Sequence, residues 1–113
     1  MISLAMLLSL LVFFDRDNGQ TYRVPRGQVV TVKLLVPQGA STGWEPVALD
    51  RVKLLPIGQP TFEPGDRPGT EYQVFRFLPV GPGTTTLWFR YDLPLNRTYN
   101  PTFHIYSLRL IIN

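Results

Sequence analysis

The chain has no cysteine, a single histidine (His104) and only two lysines (Lys33 and Lys53). Without a thiol there is no disulfide framework, no cysteine nucleophile and no thiolate zinc site, so stability rests on burial. With one histidine, a Ser–His–Asp arrangement would depend on His104 alone, and no serine sits in a G-x-S-x-G elbow. His104 lies in "FHIY" near the last apolar run, where a histidine packed at a strand edge is the simpler reading. The eight acidic residues include no close pair after Asp17 of the sort that glycoside hydrolysis or metal binding needs. Neither catalysis nor a cofactor or metal is expected.

Charge is equally uninformative about nucleic acid. The net charge of +3 comes mainly from arginines scattered singly from Arg16 to Arg109, and no basic block marks a phosphate-tracking stripe. No nucleic-acid partner is expected. Apolar runs are short, with one exception: "MISLAMLLSLLVFF" at the N-terminus carries no charged side chain. It is shorter than the roughly 20 residues of a membrane-spanning helix and suits the apolar region of an export signal. No basic residue precedes it, and "DRDNG" follows where small residues would mark a cleavage site. Residues 1–18 therefore read as an export signal or anchor, which would make the protein secreted or periplasmic with no membrane span after processing. A hydrophobic N-terminal strand or helix packed on the domain is the alternative.

Proline and glycine, by contrast, are abundant. Eleven prolines and nine glycines in 113 residues leave no room for long helices. Between them lie short runs with period-two alternation. "QVVTVKLLV" (28–36) puts Val30, Val32, Leu34 and Val36 on one face. "VFRFL" (74–78) sets Phe75 and Phe77 against Arg76, and "TTTLWFRY" (84–91) sets Leu87, Phe89 and Tyr91 against Trp88 and Arg90. "YSLRLII" (106–112) sets Leu108, Leu110 and Ile112 against Ser107 and Arg109. The pattern predicts one all-β domain over residues 20–113, an antiparallel β-sandwich. Its inner set would include Val30, Val32, Leu34, Phe75, Phe77, Leu87, Phe89, Tyr91, Leu108 and Leu110, with Trp44 at the loop end.

Function then falls to the turns. "ASTGW" (40–44) resembles the first inhibitory loop of the chagasin-type inhibitors of papain-like cysteine peptidases, N-P-T-T-G-[YF]: Thr42, Gly43 and aromatic Trp44 match, and Ser41 replaces the first threonine. The order of flanking features agrees. "VPRGQVVTVKLLV" precedes the loop, and "GTEYQVFRFLPVGPGTTTLWFRYDLP" supplies a G-T pair, an aromatic-x-aromatic strand, a proline-glycine turn and a further strand. The similarity spans residues 22–113.

The resemblance implies an immunoglobulin-like sandwich, monomeric, whose loops at one end enter a peptidase cleft. These would be Gly39–Trp44, Pro64–Thr70 and Asp92–Asn100, with Ser41, Thr42, Gly43, Trp44, Arg67, Pro68, Gly69, Leu93, Pro94 and Leu95 as the contacting residues. The implied partner is a papain-like cysteine peptidase. Three further places depart from the family pattern. Its R-P-W in the third loop is Leu93-Pro94-Leu95 here, the second loop reads "PGDRPG", and Pro46 stands where a tryptophan follows the loop aromatic. The competing reading is a non-catalytic immunoglobulin-like surface or adhesion module with another partner.

Overall fold

A computed structural model describes residues 11–39, 43–91 and 105–113. Among the described residues nine strands and one short 3₁₀ turn follow one another: β1 (Leu11–Phe13), the turn (Asp15–Asp17), β2 (Thr21–Val24), β3 (Val30–Pro37), β4 (Trp44–Val47), β5 (Leu54–Pro56), β6 (Thr61–Pro64), β7 (Thr70–Pro79), β8 (Gly83–Tyr91) and β9 (Ile105–Ile112). They form two sheets. One has the order β1-β3-β7-β5, with β6 also paired to β7, and the other has the order β2-β9-β8-β4. Packed face to face, they make the immunoglobulin-like sandwich that the alternation and the resemblance led us to expect. Among the described residues no helix is long and apolar enough to cross a membrane.

The alternating runs account for the core. Every residue of the expected inner set is buried, from Val30, Val32 and Leu34 on β3 to Leu108 and Leu110 on β9. Phe89 is the hub, with ring centroids 4.9 Å from Phe75, 6.1 Å from Phe77 and 5.8 Å from Tyr106. Such tilted and edge-on pairs add directional attraction to the area they bury.

Pairing is not antiparallel throughout. β1 runs parallel to β3, with Leu11 opposite Val30, and β2 runs parallel to β9, with Thr21 opposite Arg109. The cause lies in the turn between β1 and β2, where the chain crosses from the edge of one sheet to the edge of the other. The sandwich also begins earlier than the strand patterns indicated, before residue 18. Phe13 is only 6% exposed and belongs to the core cluster, its ring 4.7 Å from Tyr22. Gly19 N–H donates to Ser107 O (2.7 Å), Ser107 N–H donates to Asn18 Oδ1 (2.9 Å), and Tyr106 O–H donates to Phe14 O (2.9 Å). β1 shows no alternation because it is apolar at each position.

Beyond the three residues paired with β1, the outer edge of β3 is closed by a side chain. The Asp15 carboxylate accepts Leu35 N–H, at 3.1 Å to Oδ1 and 3.4 Å to Oδ2. Burial pushes the Asp15 carboxyl up from its ordinary value, by more than the Leu35 hydrogen bond lowers it. A carboxyl whose pKa is raised on folding binds its proton more tightly in the folded chain. Its contribution to stability is therefore present at acid pH and lost as pH rises through the folded value. Asp15→Asn keeps an acceptor for Leu35 N–H and removes the charge. The variant should gain stability relative to wild type as pH is raised from about 4 to about 8. Melting curves across that range check this, and a pH-independent difference would assign the titration to another group.

Candidate functional site: a loop cluster at one end of the sandwich

The strand ends that flank three connections lie at one end of the sandwich, and the strand registers show why. β3 and β7 pair so that Pro37 lies opposite Thr70, which places the exit of β3 beside the β6–β7 turn. Gln38 N–H donates to Gly69 O (2.9 Å), and Gly39 N–H donates to Glu71 Oε1 (3.0 Å). In the other sheet Trp44 lies opposite Tyr91 and Arg90 lies opposite Ile105, so the chain leaves and re-enters at the same end on either side of residues 92–104. Trp44 and Tyr91 pack edge to face, with centroids 5.1 Å apart. Across the same strand pair Arg90 forms an ion pair with Glu45.

Trp44 anchors the first loop. It is 3% exposed, and its indole N–H donates to Leu35 O (3.2 Å). Its main chain is held by a residue that sequence reasoning missed. Gln73 Oε1 accepts Trp44 N–H (2.8 Å), and Gln73 Nε2 donates to Trp44 O (3.0 Å). The signal was present: continuing the alternation back from Phe77 and Phe75 puts Gln73 on the inner face, an unusual place for an amide.

Gly43 was expected among the contacting residues of the first loop. The structure gives another reason for it. Gly43 is half-buried, its φ is not among the positive ones, and a Cβ there would run into the Gln73 amide, with Cδ 3.2 Å away. The glycine leaves room for Gln73.

The second loop is a tight turn between β6 and β7. Arg67 O accepts both Thr70 N–H (3.3 Å) and Thr70 Oγ1–H (2.6 Å), and Gly65 N–H donates to Thr70 O (3.0 Å). Gly69 has φ +81°, a left-handed conformation that suits glycine. Arg67, Pro68 and Gly69 are exposed, as expected of contacting residues, and Arg67 pairs with neighbouring Asp66 at 3.4 Å. The turn frames a concavity of about 480 Å³ that also touches Gln38 and Phe62. Next along β7, Tyr72 packs edge-on against Phe14 at 5.5 Å, and its phenol is pushed up chiefly by burial, with the charges of Asp66 and Asp15 adding to the effect.

The structure thus brings Gly43, Trp44, Arg67, Pro68 and Gly69 to one end. Ser41 and Thr42 of the first loop, and Leu93, Pro94 and Leu95 of the third, lie outside the described residues. Among the described residues no group of three histidine or acidic side chains could hold a metal ion. No buried side-chain nitrogen or oxygen among them lacks a hydrogen-bond partner. The site offers shape, backbone and a few polar tips, the equipment of a binding surface.

No protein-family model matches the sequence, and no curated protein does. Solved structures do match. The cysteine protease inhibitor EhICP2 from Entamoeba histolytica superposes with a TM-score of 0.72 at 15% identity, over 92% of this chain and 96% of that one. Amebosin, determined in solution, superposes with a TM-score of 0.66 at 12% identity, over 93% of this chain and 99% of that one. PbICP-C, solved in complex with falcipain-2, gives 0.49 at 10% identity, over 93% and 90%. At these identities the first two likenesses establish a shared fold, and the resemblance to chagasin-type inhibitors holds at that level.

Proposed function

We propose that the protein is a reversible inhibitor of papain-like cysteine peptidases that fills the active-site cleft with the loops at one end of its sandwich. The observation that carries this is the anchored first loop: a Thr-Gly-aromatic triplet whose aromatic residue is tied by its indole and both main-chain groups to the opposite sheet, in a fold shared with the inhibitor EhICP2. Rigid loops lose little conformational freedom on docking, so an interface of ordinary inhibitor size, about 800 Å² per partner, can bind tightly. Thr42 would hydrogen-bond near the catalytic thiol and imidazole without presenting a peptide bond for cleavage. Arg67, Pro68 and Gly69 would flank the cleft on one side, and Leu93, Pro94 and Leu95 on the other. The protein would act as a monomer. Its place of action would be outside the cytoplasm, with the apolar N-terminal run directing export.

Titration against a panel of papain-like peptidases tests the reading. Reversible inhibition is expected, with constants on the order of nanomolar, and the inhibitor should stay intact on gels. Binding without inhibition would favour an adhesion-type module instead. No binding to any member of the panel would overturn the proposal.

A further inference from the structure

We propose that Gln73 is the positioning residue of the first loop, its side-chain amide standing in for a missing strand and fixing where the loop leaves the sandwich. This rests on the inhibitor reading for its effect on affinity, and on geometry alone for the clamp itself.

Among the described residues, β4 is an edge strand that pairs only with β8 in its sheet. Peptide groups along a strand face alternate sides. The N–H and C=O of Trp44 point away from β8, because both meet the Gln73 amide, at 2.8 and 3.0 Å. Gln73 reaches them from β7 in the opposite sheet and is 8% exposed. One primary amide, accepting with its oxygen and donating with its nitrogen, reproduces the pair of bonds that a residue of a neighbouring strand would make. The next residue on β4 facing the same way is Pro46, which has no N–H. The open edge of β4 is thus occupied at Trp44 and has no donor at Pro46, so it does not recruit another strand.

A buried amide is costly unless both its ends are bonded, so Gln73 holds Trp44 as firmly as Trp44 holds Gln73. The third tie, from the Trp44 indole to Leu35 O at 3.2 Å, reaches β3 in the same opposite sheet. The chain that emerges from β3 at Pro37 therefore returns to a fixed point referred back to β3 and β7. Gly43 completes the device, since any side chain there would displace the Gln73 amide. Gly43, Trp44 and a glutamine on a distant strand form one unit.

Two substitutions separate this from a general packing role. Gln73→Leu keeps most of the volume and deletes both hydrogen bonds. Gln73→Glu keeps the acceptor, but only its protonated form can donate to Trp44 O, so it regains the clamp as pH falls. Leu110→Ala, in a buried row paired with Tyr22 and Thr85 well away from the loops, is the control for stability alone. Inhibition constants, measured relative to wild type at each pH, should rise roughly tenfold or more for Gln73→Leu, mainly through faster dissociation. For Gln73→Glu they should be raised near pH 8 and return toward wild type near about pH 5. Leu110→Ala should leave them unchanged while lowering the melting temperature. Trp44 amide hydrogen exchange should accelerate in Gln73→Leu.

Wild-type inhibition and wild-type Trp44 exchange in Gln73→Leu would overturn the proposal, as would an equal loss of inhibition in Leu110→Ala. Should Gln73→Leu not fold, the pH profile of Gln73→Glu decides, and a flat profile overturns the clamp. Should wild type inhibit no papain-like peptidase, the inhibitor reading fails, and Trp44 exchange alone then upholds or overturns the clamp.

Discussion

Truncating Phe89 to alanine is expected to cost about 3–5 kcal/mol, the range for removing a large aromatic from a packed core. Phe89 is 0% exposed and contacts rings from both sheets: Phe75 and Phe77 across the sandwich, and Tyr106 beside it. A cavity there would be lined from two layers, so closing it would require the sheets to approach each other, which the intervening side chains resist. Ordinary domains are stable by about 5–15 kcal/mol, so the variant would lose a large part of its margin. Urea titration of both proteins measures the difference. A loss below roughly 1 kcal/mol would mean that Phe89 does not lie at the centre of the core.

Gly43→Glu is expected to weaken peptidase inhibition by at least tenfold, about 1.4 kcal/mol, and to lower the melting temperature as well. Both effects have one origin. The new side chain must either push the Gln73 amide off Trp44 or turn the loop away from the sandwich. The first leaves buried polar groups without partners, each at a cost of about 1–3 kcal/mol. The second moves the tip and brings a charge to a surface that would be desolvated on docking. Gly43→Ala should show the same pair of losses in smaller measure, since its Cβ alone meets Gln73. Inhibition and thermal unfolding measured side by side check the coupling. Undiminished inhibition by Gly43→Glu would remove the wedge mechanism, and an unchanged melting temperature would remove the steric account.

The alternating strands were legible in the sequence because one face of each meets the core and the other meets water. Val30, Val32 and Leu34, or Leu87, Phe89 and Tyr91, announce themselves by period two alone. β4 was not legible, since Trp44-Glu45-Pro46-Val47 carries a proline that only an edge position admits. β5 and β6 lie in "LLPIGQPTFEP", whose prolines and glycine break up any period-two pattern, and become strands because β7 is long enough to pair with both. The parallel pairing of β1 and β2 depends on contacts between distant parts of the chain, which local patterns do not carry. At the loop end, Gly43 and Trp44 stood out as a motif. Gln73 did not, because an amide in a strand looks like surface until the phase of its neighbours is followed inward.

The support of the first loop is spread over strands, whereas its three central residues, 40–42, are bracketed by fixed points: Gly39 through Glu71 on one side and Trp44 through Gln73 on the other. Such a bracket behaves as a socket. A different tripeptide placed between Gly39 and Gly43 would inherit the same end points and direction without disturbing the core that sets them. Recognition could then be rewritten, by divergence or by grafting, as an exchange of cassettes on an unchanged chassis. Substitutions at Gly43, Trp44 or Gln73 would alter the socket itself.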